Sequence, residues 1–128
     1  MFKFSTLSGV TALVALILFT ILLVAPQLIF LLFAVEGNDA AYFISRRAAM
    51  LFLGIALIAY TSRNAVHSTS RQAICLGLGS AMLALFVLGA FELFRGFVGV
   101  GILPALVTEL AIGSSYLAIW FSNRHKST

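Results

Sequence analysis

Charge is scarce in this chain. Asp, Glu, Lys and Arg make up 9% of its 128 residues, against 62% hydrophobic ones. A soluble domain carries roughly 25% charged and 45–50% apolar residues. So little charge excludes an ordinary aqueous domain and points to lipid as the solvent, in line with a mean hydropathy of +1.11. Acidic residues are the scarcer sign: four Asp and Glu stand against eight Lys and Arg, a net charge of +4. In an apolar chain that balance reads as the basic excess flanking membrane spans, and no nucleic-acid partner is expected.

Cysteine is nearly absent. Cys75 stands alone, which excludes an intrachain disulfide and any CxxC metal motif, and it reads as a small apolar helix residue. The two histidines, His67 and His125, fall in polar segments, so a haem held by two histidines at membrane depth lacks its ligands. The sequence carries no hydrolase, kinase, phosphate-loop or zinc motif. The glycine-rich run at 96–101 follows no strand, so it is not a dinucleotide fingerprint. Neither enzymatic activity nor a cofactor or metal is expected.

What the chain does have is length of apolar run. A crossing needs about 20 mostly apolar residues, and four segments qualify, over about 6–35, 40–62, 71–94 and 103–123. The first is too long for a cleaved signal peptide, whose apolar region is about 7–15 residues, and is read as a retained span. Pro26 lies inside it, so a kink or strong tilt is expected there. Asp39 is placed as the N-cap of the second helix and Ser70 as that of the third, with Pro104 in the first turn of the fourth. The uncharged stretch 48–62 is too short to cross alone, so the second helix must reach back through Arg46 and Arg47. The fold expected is all-α: one membrane domain over 1–128, a bundle of four transmembrane helices with both ends on one side. That side carries Lys3, Arg63, Arg71, Arg124 and Lys126. The other carries Arg46, Arg47 and Arg95 beside Glu36, Asp39 and Glu92. The positive-inside rule makes both termini cytoplasmic.

Ionisable residues inside a span are functional candidates by default. At about 1.5 Å per residue, Glu109 lies about 8 Å below the start of the fourth helix, Arg46 and Arg47 about 9–10 Å below the start of the second, and Gln27 about 12 Å below the outer end of the first. All four share one layer, with Glu92 and Arg95 just above it at i and i+3. Neighbouring helical residues point about 100° apart, so Arg46 and Arg47 cannot both face Glu109. Three readings are open for this cluster: an ion pair fixing helix register, a substrate or proton site at Glu109, or a contact between subunits through an unmatched charge. His67, Arg63 and Arg71 fall at helical spacing, an ordinary basic loop or a patch for anionic lipid. Small residues recur at helical spacing, Gly77 with Ala81, Ser80 with Ala84, Ala105 with Gly113 and Ala111 with Ser115, which lets helices approach closely within the bundle or between copies.

Two stretches carry resemblances. Ser45, Arg46, Arg47 and Ala48 on to Gly54, then Arg63, then Ser70 and Arg71 on to Gly77, resemble a pattern of small uncharacterised bacterial four-helix membrane proteins. That resemblance covers about a third of the chain and implies the bundle fold and a bacterial inner membrane. Thr108, Glu109, Leu110, Ala111, Ile112 and Gly113 faintly resemble the glutamate motif of the small multidrug resistance transporters. In that family the glutamate belongs to the first helix, which here offers only Gln27. With loops this short, contacts beyond the chain must be with lipid or other membrane helices. The expected function is a non-enzymatic accessory, assembly or self-associating subunit, in a homo-oligomer or larger membrane complex. The alternative is a small transporter or proton-linked carrier using Glu109 with Arg46 or Arg47.

Overall fold

The computed structural model describes residues 3–125; Lys126, counted above for orientation, lies outside them. The chain forms helices α1 (Phe4–Val24), α2 (Pro26–Leu32), α3 (Asp39–Thr61), α4 (Thr69–Phe94) and α5 (Leu103–Asn123), the last entered through a single 3-10 turn, Val100–Ile102. Four of these, α1, α3, α4 and α5 with its entry turn, are long and apolar enough to cross a membrane.

The first apolar run is not one helix. Proline lacks an N–H, and its ring collides with the preceding turn and pushes the residue before it out of the helical region. Ala25 adopts φ −145°, ψ 66°, α1 ends at Val24, and Pro26 opens α2 as its first residue. The expected kink is therefore a break. The chain then reverses at Ala34, whose φ of 56° is left-handed. The Ala34 N–H donates to the Leu31 carbonyl and that of Val35 to Phe30, capping the last carbonyls of α2. The same device closes α4: Gly96, φ 82°, donates to Leu93, and Phe97 donates to Glu92. Here glycine supplies the left-handed residue without a Cβ clash.

The caps fall slightly earlier than their expected positions. Asn38, not Asp39, caps α3, its Oδ1 accepting from the Ala41 amide at 2.8 Å, while Asp39 sits in the first turn, where a negative charge suits the helix dipole. Ser68, not Ser70, caps α4, accepting from the Arg71 amide at 3.1 Å. Pro104 lies in the first turn of α5 as expected.

Packing is pairwise. α1 lies along α3, α4 lies along α5, and α1 also touches α5. The residues that α3 buries are all alanines, Ala49, Ala56 and Ala59, which lets its backbone approach closely. α4 and α5 cross at glycines: a Cβ on Gly79 would stand 3.2 Å from the Gly113 carbonyl, and one on Gly113 3.1 Å from that of Gly79. Of the two glycines that small-residue spacing singles out, Gly113 lies at this crossing and Gly77 faces open space.

The pairs join through a buried cluster of Phe4 and Leu7 from α1, Cys75, Leu78 and Met82 from α4, and Ile112, Tyr116 and Ile119 from α5. Within it the Ser8 and Tyr116 hydroxyls hydrogen-bond at 3.0 Å, both fully buried. The cluster occupies the half of the bundle that carries both described chain ends. At the far end the Gly99 amide donates to the Phe33 carbonyl at 2.8 Å. Gly101 lies so close to the Leu32 carbonyl that any side chain there would overlap it.

Gly113→Val should lower thermal stability in detergent or nanodiscs by about 1–3 kcal/mol, because the added methyls meet packed atoms. Gly77→Ala should be neutral or stabilising by up to about 1 kcal/mol. Equal losses from the two would count against the Gly79–Gly113 crossing.

Candidate functional site

Between the joined half and the far-end clasp, α1 and α2 stand away from α4 and α5. The gap is a cleft of about 440 Å³, walled by Thr11, Ala15 and Leu22 of α1, Ile29 of α2, Phe33 just beyond it, Phe52 of α3, Met82 and Leu85 of α4, and Pro104, Ala105, Thr108, Glu109 and Ile112 of α5. Its wall is hydrocarbon apart from three side chains, Thr11, Thr108 and Glu109. Both threonine hydroxyls are occupied: Thr11 donates to the Leu7 carbonyl at 2.8 Å and Thr108 to that of Pro104 at 2.9 Å. Glu109, partly buried on α5, is left as the one ionisable group lining the cleft, and among the described residues it has no hydrogen bond or ion pair.

The structure does not bring the expected cluster together. Arg46 and Arg47 are exposed on α3, and neither forms an ion pair with Glu109 or any other described acid. The reason is which helices pair. α3 packs on α1 rather than α5, and of its residues Phe52 reaches the cleft. Six positions separate Phe52 from Arg46 and five from Arg47, so the two arginines point about 120° and 140° away from it around the helix. The register pair Arg46 or Arg47 with Glu109 is thus corrected: the arginines are turned away from the cleft that Glu109 lines. Arg47 instead borders a shallow surface hollow with Ile44, Ala48, Met50 and Leu51.

The other members are also dispersed. Gln27 is exposed on α2 and lines no part of the cleft. Glu92 pairs with Arg95, whose Nη2 and Nε reach the same carboxylate oxygen at 2.8 and 2.9 Å. The Arg95 guanidinium also lies 5.0 Å from the centre of the Phe97 ring. This i,i+3 pair at the end of α4 satisfies itself and takes no part in the Glu109 site.

Sequence reading missed two features. One is the cleft, which arises from the spacing of helix pairs and has no local signature. The other is the Ser8–Tyr116 bond. Ser8 and Thr11 fall on the buried stripe of α1 with Phe4, Leu7, Ala12 and Ala15, and that three-to-four spacing was the available signal for a buried polar face.

Chemically, a lone carboxyl in an apolar cleft can balance a cation or exchange a proton. The cleft lining supplies no other titratable side chain. Among the described residues no three His, Cys, Asp or Glu side chains gather as a metal site. Comparison with known protein families, curated proteins and solved structures gives no match.

If Arg46 and Arg47 lack partners within the chain, Arg46→Ala and Arg47→Ala should each leave unfolding of the isolated protein within about 0.5 kcal/mol of wild type. A loss of about 3 kcal/mol or more, typical of a broken buried pair, would restore the register reading.

Proposed function

We propose that this chain is a small, non-enzymatic integral membrane protein that binds a lipophilic cation, or exchanges a proton for one, at Glu109. The observation that carries this reading is the unpartnered Glu109 carboxyl on the wall of an otherwise apolar cleft of about 440 Å³. A pocket of that size, with one polar group fixing orientation, has the form of a small-ligand site. Hydrocarbon walls favour an apolar body, and the carboxylate selects positive charge. The basic excess beside both chain ends supports a topology with both termini in the cytoplasm, and the resemblance of the second and third helices supports a bacterial inner membrane.

Proton and cation compete for one carboxyl, which fixes the pH sign. Protonation removes the counter-charge, so cation affinity should fall as pH is lowered and recover as it is raised. With purified protein in nanodiscs and tetraphenylphosphonium as probe, Glu109→Gln should weaken binding by about tenfold or more, equivalent to about 1.4 kcal/mol. It should also abolish the pH dependence while leaving the thermal transition near wild type. Equal binding by the Gln variant would overturn the proposal.

A second reading has its own observation: Arg46 and Arg47 stand exposed on the outer face of α3 among exposed Phe43, Ile44, Met50 and Leu51. Guanidinium groups at that depth either snorkel to the interface or meet an acidic group of another membrane helix. This supports an accessory or self-associating subunit. Intact-complex mass analysis after mild extraction should then show a defined complex that Arg46→Ala plus Arg47→Ala disperses; a monomer in both would remove this reading.

A further inference from the structure

At the end of the bundle that carries both described chain ends lies a second cleft, of about 480 Å³, whose lining includes Lys3, Phe4, Arg63, Ala65 and Arg71. It differs in kind from the Glu109 cleft. Three of its lining side chains are cationic and none is acidic.

The cations come from three separate places in the fold: Lys3 ahead of α1, Arg63 in the connection after α3, and Arg71 in the first turn of α4. Arg71 has two contacts near the cleft. Its Nη1 donates to the Ala65 carbonyl at 3.4 Å, and its guanidinium lies 4.8 Å from the centre of the Phe4 ring. Its Nε is buried with no hydrogen-bond partner among the described residues, and a buried donor without a partner costs free energy. Arg63 lies over the Tyr60 ring at 3.9 Å and donates Nη1 to the Tyr60 carbonyl at 2.6 Å, leaving most of its five donors unused. α1 starts at Phe4 with no side chain capping it. Its first amides and the positive end of its dipole therefore adjoin the same cleft.

We infer that this cleft binds a phosphate-bearing group, clamped between Lys3, Arg63 and Arg71. Arginine forks suit phosphate oxygens, and an uncapped helix N-terminus adds amide donors to them. The ligand is either the headgroup of an anionic lipid or a free phosphate ester, which share this chemistry. The site is independent of the Glu109 reading and stands or falls alone.

The test uses the whole chain in phosphatidylcholine nanodiscs containing a minor fraction of phosphatidylglycerol, with lipid retained on the ejected protein counted by native mass spectrometry. Inorganic phosphate at rising concentration is the competitor. Arg71 packs on Phe4 and its variant could lose the fold, so Lys3→Gln and Arg63→Gln carry the test. Arg124→Gln is the control. Arg124 is equally basic, lies at the same end and stacks on Phe121 at 4.1 Å, but it does not line the cleft.

Lys3→Gln and Arg63→Gln should each reduce phosphatidylglycerol retention about fivefold, the worth of one cation near an anionic surface, with Arg124→Gln close to wild type. Competition by phosphate would assign the site to a free phosphate ester, and resistance to it would assign the site to a lipid headgroup. Absence of preferential retention, no effect of Lys3→Gln and Arg63→Gln, or an equal loss in Arg124→Gln would overturn the inference. The last outcome would leave only a diffuse basic surface.

Discussion

The structure depends on the two helix pairs being joined along only part of their length. Each pair is close-packed because small residues remove side-chain bulk where backbones meet, alanines on α3 and glycines at the Gly79–Gly113 crossing. Between pairs there is no such seam. They meet through large side chains, Phe4, Met82 and Tyr116 among them, gathered in the half that carries the chain ends, and through a backbone clasp at the far end where Gly99 and Gly101 meet the exit of α2. A bundle fastened at these two levels leaves unfilled space between them. The Glu109 cleft is that space.

Polar groups follow the same logic. A helix in hydrocarbon satisfies its backbone internally and must also satisfy its side-chain hydroxyls. Thr11, Thr20, Ser45, Thr61, Thr108, Ser115 and Ser122 all do so by donating to the carbonyl one turn back. Few side chains remain to link helices: Ser8 with Tyr116, and Gln72, whose Nε2 donates to the Trp120 carbonyl at 3.0 Å. Against that background an acid on a cleft wall without a partner is an exception. Exceptions to local satisfaction tend to mark functional or strained sites.

Much of the fold was legible because hydrophobic run length is a one-dimensional property. The ends of α3, α4 and α5 fall within two residues of expectation, and Pro26 announced a disturbance in the first run. The caps slipped because Asn38 and Asp39 compete as neighbours, as do Ser68 and Ser70. Nothing local could signal the left-handed turn at Ala34, where glycine would be the usual choice. The site was half legible. Counting along one helix gives an expected depth for Glu109, Arg46 and Arg47, and nothing more. Whether they meet depends on which helix lies beside which. Once α3 packs on α1, its arginines are turned outward, and no property of 46–47 or 109 taken alone contains that fact.

The two clefts sit toward opposite ends of the bundle and have opposite electrostatic character. The far end carries Glu36, Asp39 and the Glu92–Arg95 pair, with Arg46 and Arg47 on the outer face of α3, so its charges nearly balance, and the cleft nearer it has a lone carboxyl. The terminus-bearing end carries Lys3, Arg63, Arg71 and Arg124, and its cleft has cations without an acid. That difference in lining is what the two proposed ligands rest on, a cation at the Glu109 cleft and a phosphate at the Arg71 cleft. A charge against an apolar wall is screened less than one in water, so the sign of the lining group weighs most where its surroundings are hydrocarbon.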